Sequence, residues 1–207
     1  MKFTESQRAQ SNGFTLVEVL ASISILVVVM IAVSSFQYNV INYNRSSAVS
    51  LTNAQEAQSL LKVMSKEIRS MEPSSNGAYP IASAGTSSLT FFADIDSDGT
   101  KEQVRYYIST TTVFRGTIKP TGSPLAYMGA EIRRTLATGI RNSSTTPIFE
   151  YFDGTYAGTS TPMTYPLTIT SIRLVKMNLT IDTDPSKAPI LRTFTTQAGL
   201  RNLKDNL

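Results

Sequence analysis

Apolar residues are concentrated in one early segment of the chain and are more dispersed after it. Residues 14–36 carry Glu18 as their one ionisable side chain, among apolar residues with a few Ser and Thr. As a helix rising about 1.5 Å per residue, this segment would span about 35 Å, more than the hydrocarbon thickness of a bilayer. The pattern predicts a transmembrane helix behind a short polar leader.

The helix is predicted to continue beyond the apolar segment. Residues 14–71 contain neither proline nor glycine, and Pro73 marks the expected end. In the second half, apolar residues recur at alternating spacings of three and four, which is typical of one face of an amphipathic helix. That face consists of Ala54, Ala57, Leu61, Met64, Ile68 and Met71. We expect it to pack on a sheet.

The remainder of the chain alternates short β-prone segments with turns. Strands are predicted at residues 89–93, 104–108, 111–118, 147–152, 167–181 and 190–196, with a turn at 182–189 and a short tail from 199. Residues 130–136 have helical composition and predict a short helix or an irregular segment. A long helix followed by strands with short connections predicts an α+β fold, in which the helix packs on a C-terminal antiparallel β-sheet.

Two aromatic pairs lie on these predicted strands. Neighbouring residues of a strand point to opposite faces, so each pair should place one ring in the core and one outside. The pairs are Tyr106-Tyr107 and Tyr151-Phe152.

The composition argues against several classes of function. The 207 residues include no Cys and no His, which excludes disulfides, thiolate chemistry and a Ser-His-Asp triad. The net charge of +4 is modest and the basic residues are dispersed, so nucleic-acid binding is not expected. The motifs of serine hydrolases and of P-loop proteins are also missing. We therefore do not expect an enzyme.

A specific order of residues opens the apolar segment. Gly13 is followed by Phe14, and Glu18 comes four residues later, in the order Gly-Phe-Thr-Leu-Val-Glu. This arrangement resembles the processing site of type IV prepilins and type II secretion pseudopilins. The resemblance implies that a prepilin peptidase cuts after Gly13 and that the new N-terminal Phe14 is methylated. The rest of the chain resembles that family more weakly, with features like those of minor pilins and J-type pseudopilins.

Two other interpretations of the apolar segment stay open. An ordinary secretory signal has a shorter apolar core, and Ala32, Ser34 and Ser35 would imitate its cleavage site. A plain signal anchor would need no glycine, phenylalanine and glutamate in this order.

The pattern and the resemblance together divide the chain into four parts. These are a leader peptide at 1–13, a transmembrane and assembly helix at 14–36, its amphipathic continuation at 37–72 and a globular β-sheet domain at 73–207. Lys2 and Arg8 should help to hold the leader in the cytoplasm. The globular domain is then expected outside the cytoplasm, anchored in the inner (cytoplasmic) membrane by a single span, and on a periplasmic or cell-surface filament after assembly.

The function implied by the resemblance is that of a non-enzymatic minor pilin or pseudopilin in a type IV pilus, type II secretion or competence-type filament. The expected partners are prepilin peptidase, other pilin or pseudopilin subunits and the membrane. One alternative is a surface-anchored adhesin or ligand-binding module that makes its contacts through residues 156–166. A second is a membrane-anchored enzyme, which the missing His and Cys argue against.

Glu18 is expected to act in filament assembly. A carboxylate in an apolar helix is unfavourable without a partner, and the next basic residue of the helix, Arg45, lies roughly 40 Å away. The partner should therefore come from outside the helix, unless Glu18 stays protonated in the bilayer. The resemblance points to the free amine of Phe14 in a neighbouring subunit. The amine of the same chain is a further possibility.

Residues 94–99, here called the acidic turn, read Asp-Ile-Asp-Ser-Asp-Gly between two predicted strands, which indicates a β-hairpin. They match the first half of an EF-hand calcium loop. The acidic positions are Asp94, Asp96, Asp98 and, at the ninth position, Glu102. Arg105 replaces the bidentate Glu of that loop, and the flanks are strands, which favours a structural turn whose Asp side chains accept backbone hydrogen bonds. Calcium at Asp94, Asp96 and Asp98 is the alternative, and no other cofactor is expected.

Overall fold

The computed structural model of the chain describes residues 13–143, 145–182 and 191–200, with the backbone alone at 45–46. The predicted leader therefore lies outside the described residues except for Gly13, and the predicted turn at 182–189 except for Asp182. The tail lies outside them from residue 201. The chain divides into two compact units, Met1–Ser47 and Ala48–Leu207, which are described in turn.

Helix α1 (Leu16–Arg69) runs for 54 residues without interruption, as the lack of proline and glycine predicts. Its last turn tightens, because the Ser70 amide is shared between the carbonyls of Lys66 and Glu67, at 3.2 Å from each. The basic side chains of Lys66 and Arg69 lie in that turn, where they complement the negative end of the helix dipole.

In the first unit, α1 exposes its apolar side chains. Ile25 is 66% and Phe36 is 68% exposed. The hydroxyls of Ser22 and Ser24 donate to carbonyls one turn earlier, at 2.7 and 2.8 Å, so these polar groups are satisfied within the helix. Among the described residues, α1 has the length and composition to cross a membrane.

In the second unit, α1 buries one face in the hydrophobic core. The predicted stripe is confirmed, since five of its members are at most 4% exposed: Ala57, Leu61, Met64 and Ile68 of α1, and Met71 just after its end. Ala54 is half-buried. Leu60 and Ser65 widen the buried face. These residues share one core with strands that follow.

The first five strands form an antiparallel sheet in chain order. They are β1 (Ile81–Ala84), β2 (Ser88–Ala93), β3 (Glu102–Ser109), β4 (Thr112–Ile118) and β5 (Ile132–Ala137). The predicted strands at 89–93, 104–108 and 111–118 are thus confirmed. The acidic turn joins β2 to β3, as the hairpin signal indicates.

Strand β5 corrects the prediction for residues 130–136, where helical composition is misleading. Its backbone pairs with β4, from Val113 opposite Ala137 to Thr117 opposite Ile132. Four of its six side chains are exposed, so an edge strand here needs little apolar patterning. The ladder to β4 therefore decides the conformation over the weak local preference for a helix.

Three further strands form a second antiparallel sheet, in the order β6-β7-β8, where a single sheet was expected. They are β6 (Phe149–Phe152), β7 (Leu174–Asp182) and β8 (Leu191–Gly199). The prediction of one strand over residues 167–181 is correct only from Leu174, because β6 ends opposite it at Phe152. Before that point the chain forms a short 3₁₀ turn, Ile169–Ser171, with local hydrogen bonds.

Both sheets and the second half of α1 contribute to the same core, which confirms the α+β class.

The predictions for the two aromatic pairs differ in outcome. Tyr106 is fully buried and Tyr107 is half-buried, as alternation predicts. Tyr151 and Phe152 are both buried, at 1% and 3% exposure, so the prediction for that pair is wrong. The following loop covers the second ring, with Tyr156 packed on Phe152 at 4.3 Å between ring centroids.

Candidate functional site

The predicted processing site lies just before the first turn of α1. Phe14 is 86% exposed and Gly13 is also exposed. A Cβ atom added at Gly13 would meet no atom of the described residues within 4 Å. Nothing in the described fold therefore requires glycine at this position.

Thr15 and Glu18 cap the start of α1 by forming hydrogen bonds with each other. The Thr15 amide and hydroxyl donate to Glu18 Oε2, at 2.9 and 3.0 Å. The Glu18 amide lies 3.3 Å from the Thr15 hydroxyl oxygen, which accepts its hydrogen. This reciprocal arrangement is a capping box, and a carboxylate in the first turn also complements the helix dipole.

The capping box gives Glu18 a hydrogen-bond partner at the start of its own helix, Thr15, that the sequence analysis missed. The Thr-x-x-Glu spacing before an apolar run was the signal that would have found it. Thr15 is neutral, so it satisfies the carboxylate oxygen without neutralising the charge. The expectation of a charged partner from outside the helix therefore stays a prediction.

The acidic turn is organised by Asp94, whose two carboxylate oxygens accept separate backbone hydrogen bonds. The Asp98 amide donates to Oδ1 at 3.2 Å and the Gly99 amide donates to Oδ2 at 2.9 Å. Ser97 and Gly99 adopt positive φ angles of 62° and 86°, which reverse the chain within the turn. These bonds are the kind expected of a structural turn.

Lys119, which follows β4, lies across the acidic turn. Its Nζ is 2.5 Å from Asp96 Oδ2 and 2.8 Å from Asp98 Oδ2. Hydrogen bonding to Lys119 holds the pKa of Asp98 below its usual value, and the bonds to Asp96 and Asp98 raise the pKa of Lys119. This contact could not be predicted from neighbouring residues, because Lys119 comes from a different strand connection.

Glu102 adds a fourth carboxylate, and it is fully buried. It shares the inward face of β3 with Val104 and Tyr106, as residues two apart on a strand do. Its Oε2 accepts a hydrogen bond from the Ile95 amide at 3.1 Å, whereas Oε1 accepts none from the described residues. Lys119 Nζ is 3.5 Å from that oxygen.

Arg105 lies on the opposite face of β3 and takes no part in the acidic turn. Its guanidinium forms a bidentate pair with Glu131, at 2.8 and 2.6 Å, and stacks over the ring of Tyr107. The position that would carry the last ligand of an EF-hand loop thus points away from the carboxylates.

Residues 156–166, proposed above as ligand contacts of an adhesin, form an exposed loop after β6. The Met163 amide donates to the Tyr151 carbonyl at 2.8 Å, and the Gln197 side chain donates to the Tyr156 hydroxyl at 3.1 Å. The loop is therefore tied to the second sheet.

A comparison with protein families identifies the N-terminal segment. The model described as the prokaryotic N-terminal methylation motif matches residues 8–34, which include Gly13, Phe14 and Glu18. The match supports a type IV pilin-like prepilin, which is a substrate of prepilin peptidase. Together with the apolar part of α1, it indicates a membrane-anchored protein with a single span. No curated protein matches the chain significantly.

Proposed function

We propose that the chain is a minor pilin or pseudopilin, a non-enzymatic subunit of a type IV pilus, a type II secretion or a competence-type filament. The observation that carries the proposal is the methylation motif at residues 8–34, placed at the start of an exposed apolar helix. The globular unit after it contributes a surface rather than chemistry, in keeping with the lack of His and Cys.

Processing is proposed at the bond between Gly13 and Phe14. Both residues are exposed, so a peptidase can reach the bond without unfolding the described part of the chain. Since the fold makes no use of the missing side chain at Gly13, we assign the need for glycine to the peptidase. A β-branched side chain there would crowd the enzyme and leave the fold unchanged.

Assembly is proposed to bury the exposed apolar side chains of residues 14–36 among the same segments of other subunits. The cut creates an ammonium group on Phe14, one residue from Thr15, which already holds the Glu18 carboxylate. A buried carboxylate needs a charged partner, and the Phe14 ammonium of a neighbouring subunit supplies it.

Mass spectrometry of the mature N-terminus tests this function. The chain would be expressed with a prepilin peptidase, and we expect it to begin at N-methylated Phe14. Gly13→Val should leave the precursor uncut while its thermal unfolding stays that of the uncut wild-type chain. Asn12→Val is the matched control beside the bond, and it should still be processed. A mature chain that begins at Met1, or beyond Ala32 as after a secretory cut, would contradict the proposal.

A further inference from the structure

We propose that the acidic turn and Glu102 form a calcium site, in which Lys119 serves as an internal cation that calcium displaces. The ligands are the carboxylates of Asp94, Asp96 and Glu102. Asp98 contacts Lys119 and adds negative charge beside them. This site is independent of the N-terminal processing segment and goes beyond the role of a filament subunit.

The burial of the Glu102 carboxylate is the observation that points to a bound cation. A carboxylate removed from water is unfavourable unless its oxygens are paired. Oε2 has the Ile95 amide as its donor, but Oε1 is buried and accepts no hydrogen bond within the part of the chain that the structure describes. A structural turn that needed only backbone hydrogen bonds would have no use for a buried, half-satisfied carboxylate beside it.

The carboxylates have the spacing of a calcium shell. Oxygen atoms of Asp94, Asp96 and Glu102 all lie within 4.8 Å of one another. Calcium holds oxygen ligands at about 2.3–2.6 Å, so two ligands on opposite sides of one ion are separated by about 5 Å. Carboxylates are hard ligands that favour calcium or magnesium, and the chain offers no imidazole or thiolate to a softer metal.

Lys119 satisfies this group of carboxylates only in part. Its ammonium contacts Asp96 and Asp98 but stays 3.5 Å from Glu102 Oε1, and its side chain is half exposed. The other nearby lysine, Lys101, contacts the Gly99 carbonyl and Glu72 instead. One ammonium therefore faces three carboxylates, those of Asp96, Asp98 and Glu102, whereas a divalent ion would bring twice the charge and would coordinate the buried oxygen directly.

The position of Glu102 removes the main sequence-based objection to calcium. That objection was Arg105 at the twelfth position of the loop, but Arg105 points to the other face of β3. Because the flanks are strands, the ninth position, Glu102, faces the turn and supplies the acid that a helix-flanked loop takes from the twelfth position.

The test is a calcium titration of the full-length chain in detergent, followed by thermal unfolding and calorimetry. At about 10 mM calcium and a Kd near 0.1 mM, in the range of extracellular calcium modules, the Tm should rise by about 5–10 °C. EDTA should reverse the rise, and equal magnesium should produce a smaller one. Asp96→Asn, at an exposed position that should fold normally, should reduce the calcium affinity at least tenfold.

Two further variants distinguish binding from a general charge effect. Lys119→Gln removes the competing ammonium and should strengthen calcium binding. Asp153→Asn changes a half-buried aspartate of another turn, whose side chain accepts hydrogen bonds from Thr155, and should leave the calcium response unchanged. If the wild type shows no calcium-dependent Tm and Lys119→Gln lowers stability without restoring calcium binding, the lysine is the sole cation and the proposal is wrong. Calcium binding by Lys119→Gln alone would overturn it for the native chain as well.

Discussion

Glu67 of α1 and Arg115 of β4 form an ion pair across the interface between the helix and the first sheet. Their side chains are only 14% and 20% exposed. The Tyr106 hydroxyl donates to the other oxygen of the Glu67 carboxylate, so both oxygens are engaged. The buried Nε–H of Arg115 donates to no hydrogen-bond acceptor among the described residues. The pair therefore fixes the rotation of α1 on the sheet through one carboxylate.

We expect Glu67→Ala to lower the free energy of unfolding by about 2–3 kcal/mol, because it leaves the Arg115 guanidinium largely buried without its partner. The loss should fall short of that for a fully buried pair, since both side chains retain some contact with water. Urea unfolding of the full chain measures it. Glu56→Ala, on an exposed position of the same helix, is the control and should change stability by less than about 0.5 kcal/mol.

The buried hydroxyl of Tyr106 predicts how stability changes in alkaline solution. Burial, reinforced by the Glu67 charge, raises the pKa of Tyr106 above its ordinary value of 10.0. The folded state thus holds the proton more tightly than the unfolded state. Its contribution is complete below about pH 10 and is lost as pH rises, by about 1.4 kcal/mol per pH unit.

Tyr106→Phe should therefore flatten the decline of unfolding free energy between about pH 10 and pH 11. At neutral pH the same variant should cost about 1 kcal/mol, for the lost hydrogen bond to Glu67. Urea unfolding across this pH range measures both effects. Tyr38→Phe, at a tyrosine that is 70% exposed, is the matched control. Equal slopes for Tyr106→Phe and wild type would refute the assignment.

The helix and its buried stripe were predictable because both depend on local signals. A run without proline or glycine defines α1, and the spacing of Leu61, Met64 and Ile68 defines its buried face. Strand β5 was not predictable, since it is an edge strand whose exposed side chains carry no apolar alternation. The split into two sheets depends on which strands pair with each other, and the sequences of short strands do not indicate that pairing.

Gly116 and Glu131 give a prediction about close packing on the first sheet. A Cβ atom at Gly116 would lie 1.8 Å from Glu131 Oε1, so Gly116→Ala must displace the Glu131 side chain from Arg105. We expect a loss of about 1 kcal/mol, since the displaced group is an exposed ion pair. In a Glu131→Ala background the same substitution should be neutral or slightly stabilising.

Chemical denaturation of the four combinations at these two positions measures the coupling. Gly129→Ala is the control glycine, because its added Cβ would make only an ordinary contact, 3.9 Å from Ile118 Cγ2. Additive effects on the free energy of unfolding at Gly116 and Glu131 would show that their close approach does not affect stability in solution.

Glu18→Gln should separate the charge of Glu18 from its role in the capping box. Glutamine can still accept the Thr15 hydrogen bonds, so α1 should begin as before. We expect a processed, folded subunit that enters filaments poorly, because the charge that would pair with the Phe14 ammonium is gone. Quantifying the subunit in sheared filaments measures the effect.

Thr15→Ala is the complementary variant, since it removes the cap and keeps the charge. It should destabilise the start of α1 by about 1 kcal/mol and assemble far better than Glu18→Gln. Equal assembly by Glu18→Gln and wild type would rule out pairing between subunits, and a role in methylation alone would be the better explanation.

At the candidate sites, too, features that depend on neighbouring residues were predictable, and features that depend on distant residues were not. Gly13, Phe14 and Glu18 lie close together in the chain, so their order alone identified the segment. At the acidic turn, the sequence indicated the aspartates and placed Glu102 at the ninth position. It did not show that Glu102 is buried or that Lys119 reaches the turn, since both depend on the pairing of β3 with its neighbours.

The absence of a side chain at Gly116 has an evolutionary consequence. The space above that residue is filled by Glu131, which in turn holds Arg105. A homologue that acquires a larger residue at position 116 therefore gains nothing from a long acidic side chain at position 131 and loses the restraint on position 105. Positions 105, 116 and 131 should therefore vary together in evolution. An alignment of relatives would show coordinated changes in β3, β4 and the segment before β5.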